Sequence, residues 1–247
     1  HCLSLSLDKL VAYQTFFPVV DQLERAGIKC VQSISQQKFN LAIISIPNSK
    51  KLARHLIYLA TKAVPEGLII VDGDKITGIE SMIRDLKKHT KFTNVVSKAH
   101  GRIAWFETPA DLETYKDFPR QIEDGFETRA GVFSSDGVDP ASKLLIQILP
   151  KDLMGVGADL GGGWGYLSAK VLETNSIREL HFIEADFTAI SLAKNNLNDK
   201  RLKFHWCDAL KWKAPKLLDF IIMNPPFHHL GRAIPTLGVD FIKVASR

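Results

Sequence analysis

The chain has 247 residues, 45% of them hydrophobic and 24% charged, enough apolar material for one large core or two small ones. No apolar run approaches the roughly 18 residues of a membrane-spanning helix, and the opening "HCLSLSLDKLVAY" lacks the charged head and small-residue cleavage site of a signal peptide; a cytoplasmic protein away from membranes is expected. The formal net charge of +5 is uneven, with 15 Lys and Arg against 9 Asp and Glu in residues 1–110, and 17 against 18 in residues 111–247. A basic first half fits a polyanionic partner and equally an ordinary solvated surface.

Cys2, Cys30 and Cys207 are far apart and form no CxxC pair, so neither a disulfide framework nor a zinc site is indicated. Phe17 to Ala26 has helical periodicity and closes at Gly27. "FNLAIISIP" is a short apolar run ended by Pro47 and reads as a strand. "SKKLARHLIYLATKAV" reads as a helix stopped by Pro65, and "GLIIVDG" as another strand. Phe106 to Glu127 mixes charges with Pro109 and Pro119 and keeps no period, the pattern of a linker. Beyond it, strand "VGADL" leads to helix "YLSAKVLETN", "ELHFIEA" to "TAISLAKNNL", "LKFHWCD" to a loop, and "LLDFIIM" to the corner "NPPF". Alternating strands and helices predict a doubly wound parallel α/β sheet in each half.

"ADLGGGWGYLSAKVL" sets Asp159 at a strand end and Gly161, Gly163 and Gly165 on the turn into a helix. Glycines there let backbone approach a ligand, and the helix start offers unpaired N–H groups. A dinucleotide fingerprint requires glycine at position 166, which is Tyr166, so the spacing argues for a nucleoside without a pyrophosphate. Glu184, ending the next strand, is placed for ribose hydroxyls, and Asp208, ending the third, for an adenine amino group. Each acid alone reads equally as an exposed loop carboxylate; three at successive strand ends point to one ligand edge.

These stretches, with "GVFSSDGVDPASKLL" (Gly131 to Leu145), "EADFTAISLAKNN" (Glu184 to Asn196) and "NPPF" (Asn224 to Phe227), resemble the class I S-adenosylmethionine-dependent methyltransferases. Among these they are similar to the group that methylates guanine N2 in ribosomal RNA, the small-subunit methyltransferase C family and its large-subunit relative. The first half resembles that family's degenerate methyltransferase-like domain through "IPNSKKLARHLIYLATKAVPEGLIIVDGDKITGI" and "AHGRIAWFE". The resemblance implies two tandem Rossmann-like domains: residues 1–108 degenerate and docking RNA, a linker at 109–126, and a catalytic domain over 127–247. It implies S-adenosylmethionine bound by Asp159, Gly161, Gly163, Gly165, Glu184, Asp208 and Asn224. Ribosomal RNA or a ribosomal subunit would be the substrate, with no metal and no membrane. "IPNS" (Ile46 to Ser49) stands in the first half where an active domain carries NPPF.

At the corner the resemblance assigns chemistry to Asn224 and Pro225, whose oxygens would each accept one N–H of the substrate amine, and to Phe227, which would stack on the base. Pro226, Phe227 and Arg232 would contact substrate, Pro226 by stiffening the turn and Arg232 through RNA phosphate. Taken alone, NPPF is equally an Asn-Pro turn beside a core phenyl ring, Arg232 a solvated side chain, and His228 and His229 polar loop residues without the carboxylates of a metal site. The family domain has seven strands, whereas this chain ends in "FIKVASR" after the fourth, so a C-terminal domain truncated after its fourth strand is expected. Other readings of the same corner are N-methylation of adenine in nucleic acid or of glutamine in a protein. A further one is a non-catalytic RNA-binding protein.

Overall fold

A computed structural model describes residues 6–34, 37–109, 112–225, 228–229, 232–233 and 235–246. The elements in chain order begin with β1 (Val11–Tyr13), α1 (Phe17–Arg25) and β2 (Lys29–Val31). They continue with β3 (Leu41–Ser45), α2 (Lys50–Ala63), β4 (Leu68–Asp74), α3 (Ile79–Leu86), β5 (Asn94–Lys98) and β6 (Gly101–Glu107). After the short strands β7 (Arg120–Gln121) and β8 (Glu127–Thr128) come α4 (Pro140–Ile148), β9 (Gly155–Leu160), α5 (Tyr166–Leu172), β10 (Ile177–Glu184) and α6 (Phe187–Asn196). The last elements are β11 (Leu202–Trp206), β12 (Phe220–Met223), β13 (His228–His229), β14 (Arg232–Ala233) and α7 (Pro235–Ala245).

Contacts divide the chain into two compact units that do not follow chain order. The smaller holds Ser33–Pro119 and Arg129–Gly131; the larger holds His1–Gln32, Arg120–Thr128 and Val132–Arg247. This differs from the division at residues 108 and 126 expected from composition. Tyr115 is buried and donates its hydroxyl to Asp85 Oδ2 at 3.0 Å, and Leu112 is buried in the same core, so residues beyond 109 complete the smaller unit rather than bridge from it.

The smaller unit carries a four-stranded sheet in the order β3-β4-β6-β5. Only β3 and β4 are parallel; β6 runs antiparallel to both β4 and β5, so the sheet is mixed, not the all-parallel one expected. The reversal is a two-residue hairpin turn at Ala99 and His100, both with positive φ (48° and 65°), the geometry whose twist matches paired strands. Ile57, Ile69, Met82, Leu86 and Phe106 fill the core. The Ile46–Ser49 corner serves α2, with Ser49 Oγ capping it by accepting from Leu52 N at 3.3 Å.

In the larger unit the four strands are all parallel, in the order β11-β10-β9-β12. All six residues of β9 are buried, as expected of a central strand covered on both faces. One face packs Leu180, Phe182 and Ile222 against residues of α5 and α6 such as Val171 and Ile190. The other packs Ala158, Leu160 and Ile183 against Phe241 of α7. Helix α5 stops at Leu172, short of its sequence period, and the Arg201 guanidinium takes up the carbonyls of Leu172, Thr174 and Ile177 at 2.6–3.2 Å, the first of them an acceptor that the helix end leaves open.

The N-terminal segment joins this larger unit through backbone and aromatic contacts. Phe17 N donates to Ala185 O and Phe187 N to Thr15 O, both at 2.8 Å. The Trp206 ring meets Phe17 and Phe187 edge-on at 5.3 and 5.1 Å. Its Nε1 donates to Ala185 O at 2.9 Å. Among the described residues, no helix is long and apolar enough to cross a membrane.

Trp206 therefore ties three segments together. Replacing it with Ala is expected to lower stability in urea unfolding by roughly 3 kcal/mol, and Trp206→Phe, which keeps the ring contacts and loses the Nε1 donor shared between Ala185 O and Thr15 O, by about 1 kcal/mol. Equal losses in the two variants would mean that the rings contribute nothing.

Candidate active site

The chain lays β9, β10 and β11 outward in one direction and then returns to place β12 on the other side of β9. In open parallel sheets the crevice at such a reversal, beyond the carboxyl ends of the strands, is where ligands bind. Leu160 is paired with Met223, so the residues that follow them, Gly161 and Asn224, leave adjoining strand ends.

Gly161, Gly163 and Gly165 all have positive φ, at 76°, 60° and 105°. The turn is pinned to the sheet by Gly161 N and Gly162 N, which both donate to Ile183 O, at 2.8 and 3.1 Å. At Gly162 a Cβ would stand 2.4 Å from the Phe182 ring, so backbone and core touch there. At Gly163 nothing lies within 4 Å of where a Cβ would be, so this side of the turn is open space. Trp164 is turned inward and donates its Nε1 to Phe133 O at 3.0 Å, while Asn196 Nδ2 donates to Trp164 O at 2.8 Å.

The three acids occupy different surroundings. Asp159 is 0% exposed, pointing toward α5, where Ser168 Oγ donates to its Oδ2 at 2.7 Å; its Oδ1 has no partner. Burial, with the neighbouring Glu184 charge adding to it, pushes the Asp159 carboxyl up to about 7. Glu184 is half-buried at the end of β10 and accepts from Gly163 N at 2.8 Å and Asp186 N at 2.7 Å. Burial also raises its pKa, against these two hydrogen bonds. A carboxylate has about four lone-pair sites, so each Glu184 oxygen keeps acceptor capacity. Asp208 follows β11 and starts a turn, accepting from Leu210 N at 2.9 Å.

Asn224 is held by two acceptors that were not singled out in the sequence. Its Nδ2 donates to Asp139 Oδ2 and to Ser142 Oγ, both at 2.9 Å. Asp139 caps α4 by accepting from Ser142 N at 2.9 Å, with Pro140 in the first turn. The sequence signal for this was "DPAS", a capping acid followed by proline. Asn224, Asp139 and Ser142 share a small cleft, open to solvent, with Gly161, Gly162, Gly163 and the exposed ring of Phe133.

The fold thus brings Gly161, Gly163 and Asn224 to one cleft, with Glu184 bonded to the turn from the side and Asp159 buried behind it. Asp208, at the end of the outermost strand, does not line the cleft. Pro225 is half-buried next to Asn224. Pro226 and Phe227 lie outside the described residues, as does the side chain of Arg232. Among the described residues, no group of three or more His, Cys, Asp or Glu could hold a metal ion.

The raised pKa of Asp159 fixes a pH dependence. Because the folded value, about 7, lies above the unfolded one, near 3.9, the folded state holds the proton more tightly. Ionisation then subtracts stability progressively from about pH 4 to pH 7. Asp159→Asn cannot ionise, so it is expected to be more stable than the parent chain by a few kcal/mol at pH 8 and about equal at pH 4 in thermal unfolding. A difference that does not change with pH would show that the buried carboxyl does not titrate in this range.

Comparison with known proteins agrees with this arrangement. The family model "Methyltransferase small domain" matches residues 123–247. Ribosomal RNA small subunit methyltransferase C of Acinetobacter baylyi is 29% identical over 202 residues, 75% of this chain and 59% of that protein. Ribosomal RNA large subunit methyltransferase G of Yersinia pestis is 26% identical over 226 residues, 85% of this chain and 57% of that protein. The chain thus spans a little under three-fifths of the length of these two relatives. The solved structure of a T. thermophilus 16S rRNA N2 methyltransferase in complex with AdoMet and guanosine superposes with a TM-score of 0.78 at 23% identity, over 94% of this chain and 68% of that one. That likeness establishes an α/β methyltransferase fold. Since the family model takes in slightly more than half of the residues, the chain belongs to the methyltransferase small domain family.

Proposed function

We propose that the larger unit binds S-adenosylmethionine and methylates the exocyclic N2 amine of a guanine in ribosomal RNA. The observation that carries this reading is the meeting, at one sheet reversal, of an open glycine turn and an asparagine whose amide nitrogen is already occupied.

The residues fit the cofactor. The open side of Gly163 leaves room for a ligand against backbone. Asp159 Oδ1 is a buried oxygen without a partner, and Asp159 and Glu184 both have raised pKa values, a pairing that a positively charged ligand relieves. Glu184 would hold the ribose hydroxyls, Asp208 the adenine amino group, and the Gly161–Gly165 turn the amino-acid portion. When bound, S-adenosylmethionine supplies an electrophilic methyl group.

The rest of the chemistry belongs to the chain. A guanine amine is a poor nucleophile because its lone pair is delocalised into the ring. With Asn224 Oδ1 and the Pro225 carbonyl each accepting one N–H, the lone pair is turned out of that plane toward the cofactor side. Proline brings no N–H of its own to compete. In this reading Phe227 and Pro226 support the base and Arg232 its phosphate.

The smaller unit is read as a degenerate copy that docks RNA. Two observations support this: the basic balance of the smaller unit, with 14 Lys and Arg against 9 Asp and Glu in residues 33–119 and 129–131, and the Ile46–Ser49 corner, which is spent on capping α2.

The test is incubation with methyl-labelled S-adenosylmethionine and ribosomal RNA or subunits, followed by nucleoside digestion. Label in N2-methylguanosine is expected, and Asn224→Ala should reduce the rate at least 100-fold while S-adenosylhomocysteine affinity stays within about threefold. Label in adenine, or in protein glutamine, would replace the proposed substrate; full activity of Asn224→Ala would remove the amine clamp.

A further inference from the structure

We propose that Asp139 is a positioning residue that sets which way round the Asn224 amide faces; the proposal rests on the reading of Asn224 as an acceptor for the substrate amine. The two arms of an asparagine amide, C=O and NH2, are nearly equal in shape, and a half-turn about the bond to Cβ exchanges them. In one orientation the cleft presents an acceptor, which an amine needs. In the other it presents N–H donors, which meet the amine's own N–H groups head-on. A catalytic asparagine without a partner samples both.

Asp139 removes the ambiguity because a carboxylate can only accept. Its Oδ2 lies 2.9 Å from Asn224 Nδ2, and with the amide reversed two oxygens would face each other there. Ser142 Oγ, also 2.9 Å from Nδ2, accepts the second N–H, but a hydroxyl can donate as readily as accept, so it does not by itself choose the orientation.

Asp139 is in turn fixed. The same Oδ2 accepts from Ser142 N at 2.9 Å as the cap of α4, and Pro140 starts the helix with its φ already set. The helix start therefore holds the carboxylate, the carboxylate holds the NH2 arm, and Oδ1 is the arm left free. Asp139 and Ser142 both line the cleft with Asn224, yet they are 85 and 82 residues from it in sequence. The arrangement selects for acceptor groups that bring two N–H donors and against those that bring a carbonyl oxygen.

The test uses Asp139→Gly in the full chain. Glycine is itself a favoured helix cap, so thermal stability should fall only slightly. The variant leaves Asn224 Nδ2 facing Ser142 Oγ alone, which either donates or accepts, and no longer forces the orientation. The expected result is a kcat on the order of 10- to 100-fold lower, with KM for RNA and the dissociation constant of S-adenosylhomocysteine within about twofold. A second readout is independent of activity. In 15N-asparagine-labelled protein the Asn224 NH2 pair, assigned by its loss in Asn224→Ala, should exchange with solvent more slowly in the parent chain than in Asp139→Gly. Equal exchange rates in the two proteins, or an unchanged kcat when the protection is lost, would overturn the proposal. A parent chain that transfers no methyl group to guanine would instead overturn the functional reading, and the exchange comparison would still decide whether Asp139 holds the amide.

Discussion

The parallel pairing of β9 between β10 and β12 is the constraint on which the rest of the larger unit depends. It sets Leu160 beside both Ile183 and Met223, so that three strands release their chains along one edge. Everything at the site follows from that edge. Gly161 and Gly162 are tied back to Ile183, Glu184 reaches Gly163 from the next strand, and Asn224 emerges on the opposite side of the reversal. Because β9 is buried throughout, the strand carries Asp159 into the interior, where its charge is unfavourable. The fold keeps there a carboxyl that burial alone would select against. A cost of that kind, tolerated beside an open turn, is characteristic of sites built for a charged ligand.

The edge is reinforced from outside the sheet. The loop after Glu184 is bracketed by Thr15 and Phe17, and the ring of Trp206 closes over that junction. Residues 15–17 thus steady the strand end that carries Glu184, rather than belonging to the unit that follows them in sequence. On the other flank, α4 begins at Asp139, and the same carboxylate that caps it also meets Asn224. Two segments remote in sequence each brace one side of the crevice.

Much of this was legible in the sequence. The four strands of the larger unit, the glycine turn and the Asn-Pro corner are marked by apolar runs and by residues with few conformational options, which act locally. What escaped was set by tertiary contacts. The β5–β6 hairpin turns on Ala99 and His100 with positive φ, without the Gly or Asn that ordinarily announces such a turn. The stretch after Pro109 looked like a linker because its charges hide Leu112 and Tyr115, whose burial depends on Asp85 and the smaller unit's core. Asp139 was visible as a cap, but its second hydrogen bond spans 85 residues and no local pattern encodes it.

The central claim, that the crevice between β9 and β12 is where the cofactor lies and that the smaller unit has no counterpart, is most directly tested by titrating S-adenosylhomocysteine into 15N-glycine-labelled protein and following the glycine amides. The amides of Gly161, Gly163 and Gly165 should shift on saturation, while those of Gly73, Gly78 and Gly101 in the smaller unit stay in place. Shifts confined to the smaller unit, or none at Gly161 to Gly165, would contradict it.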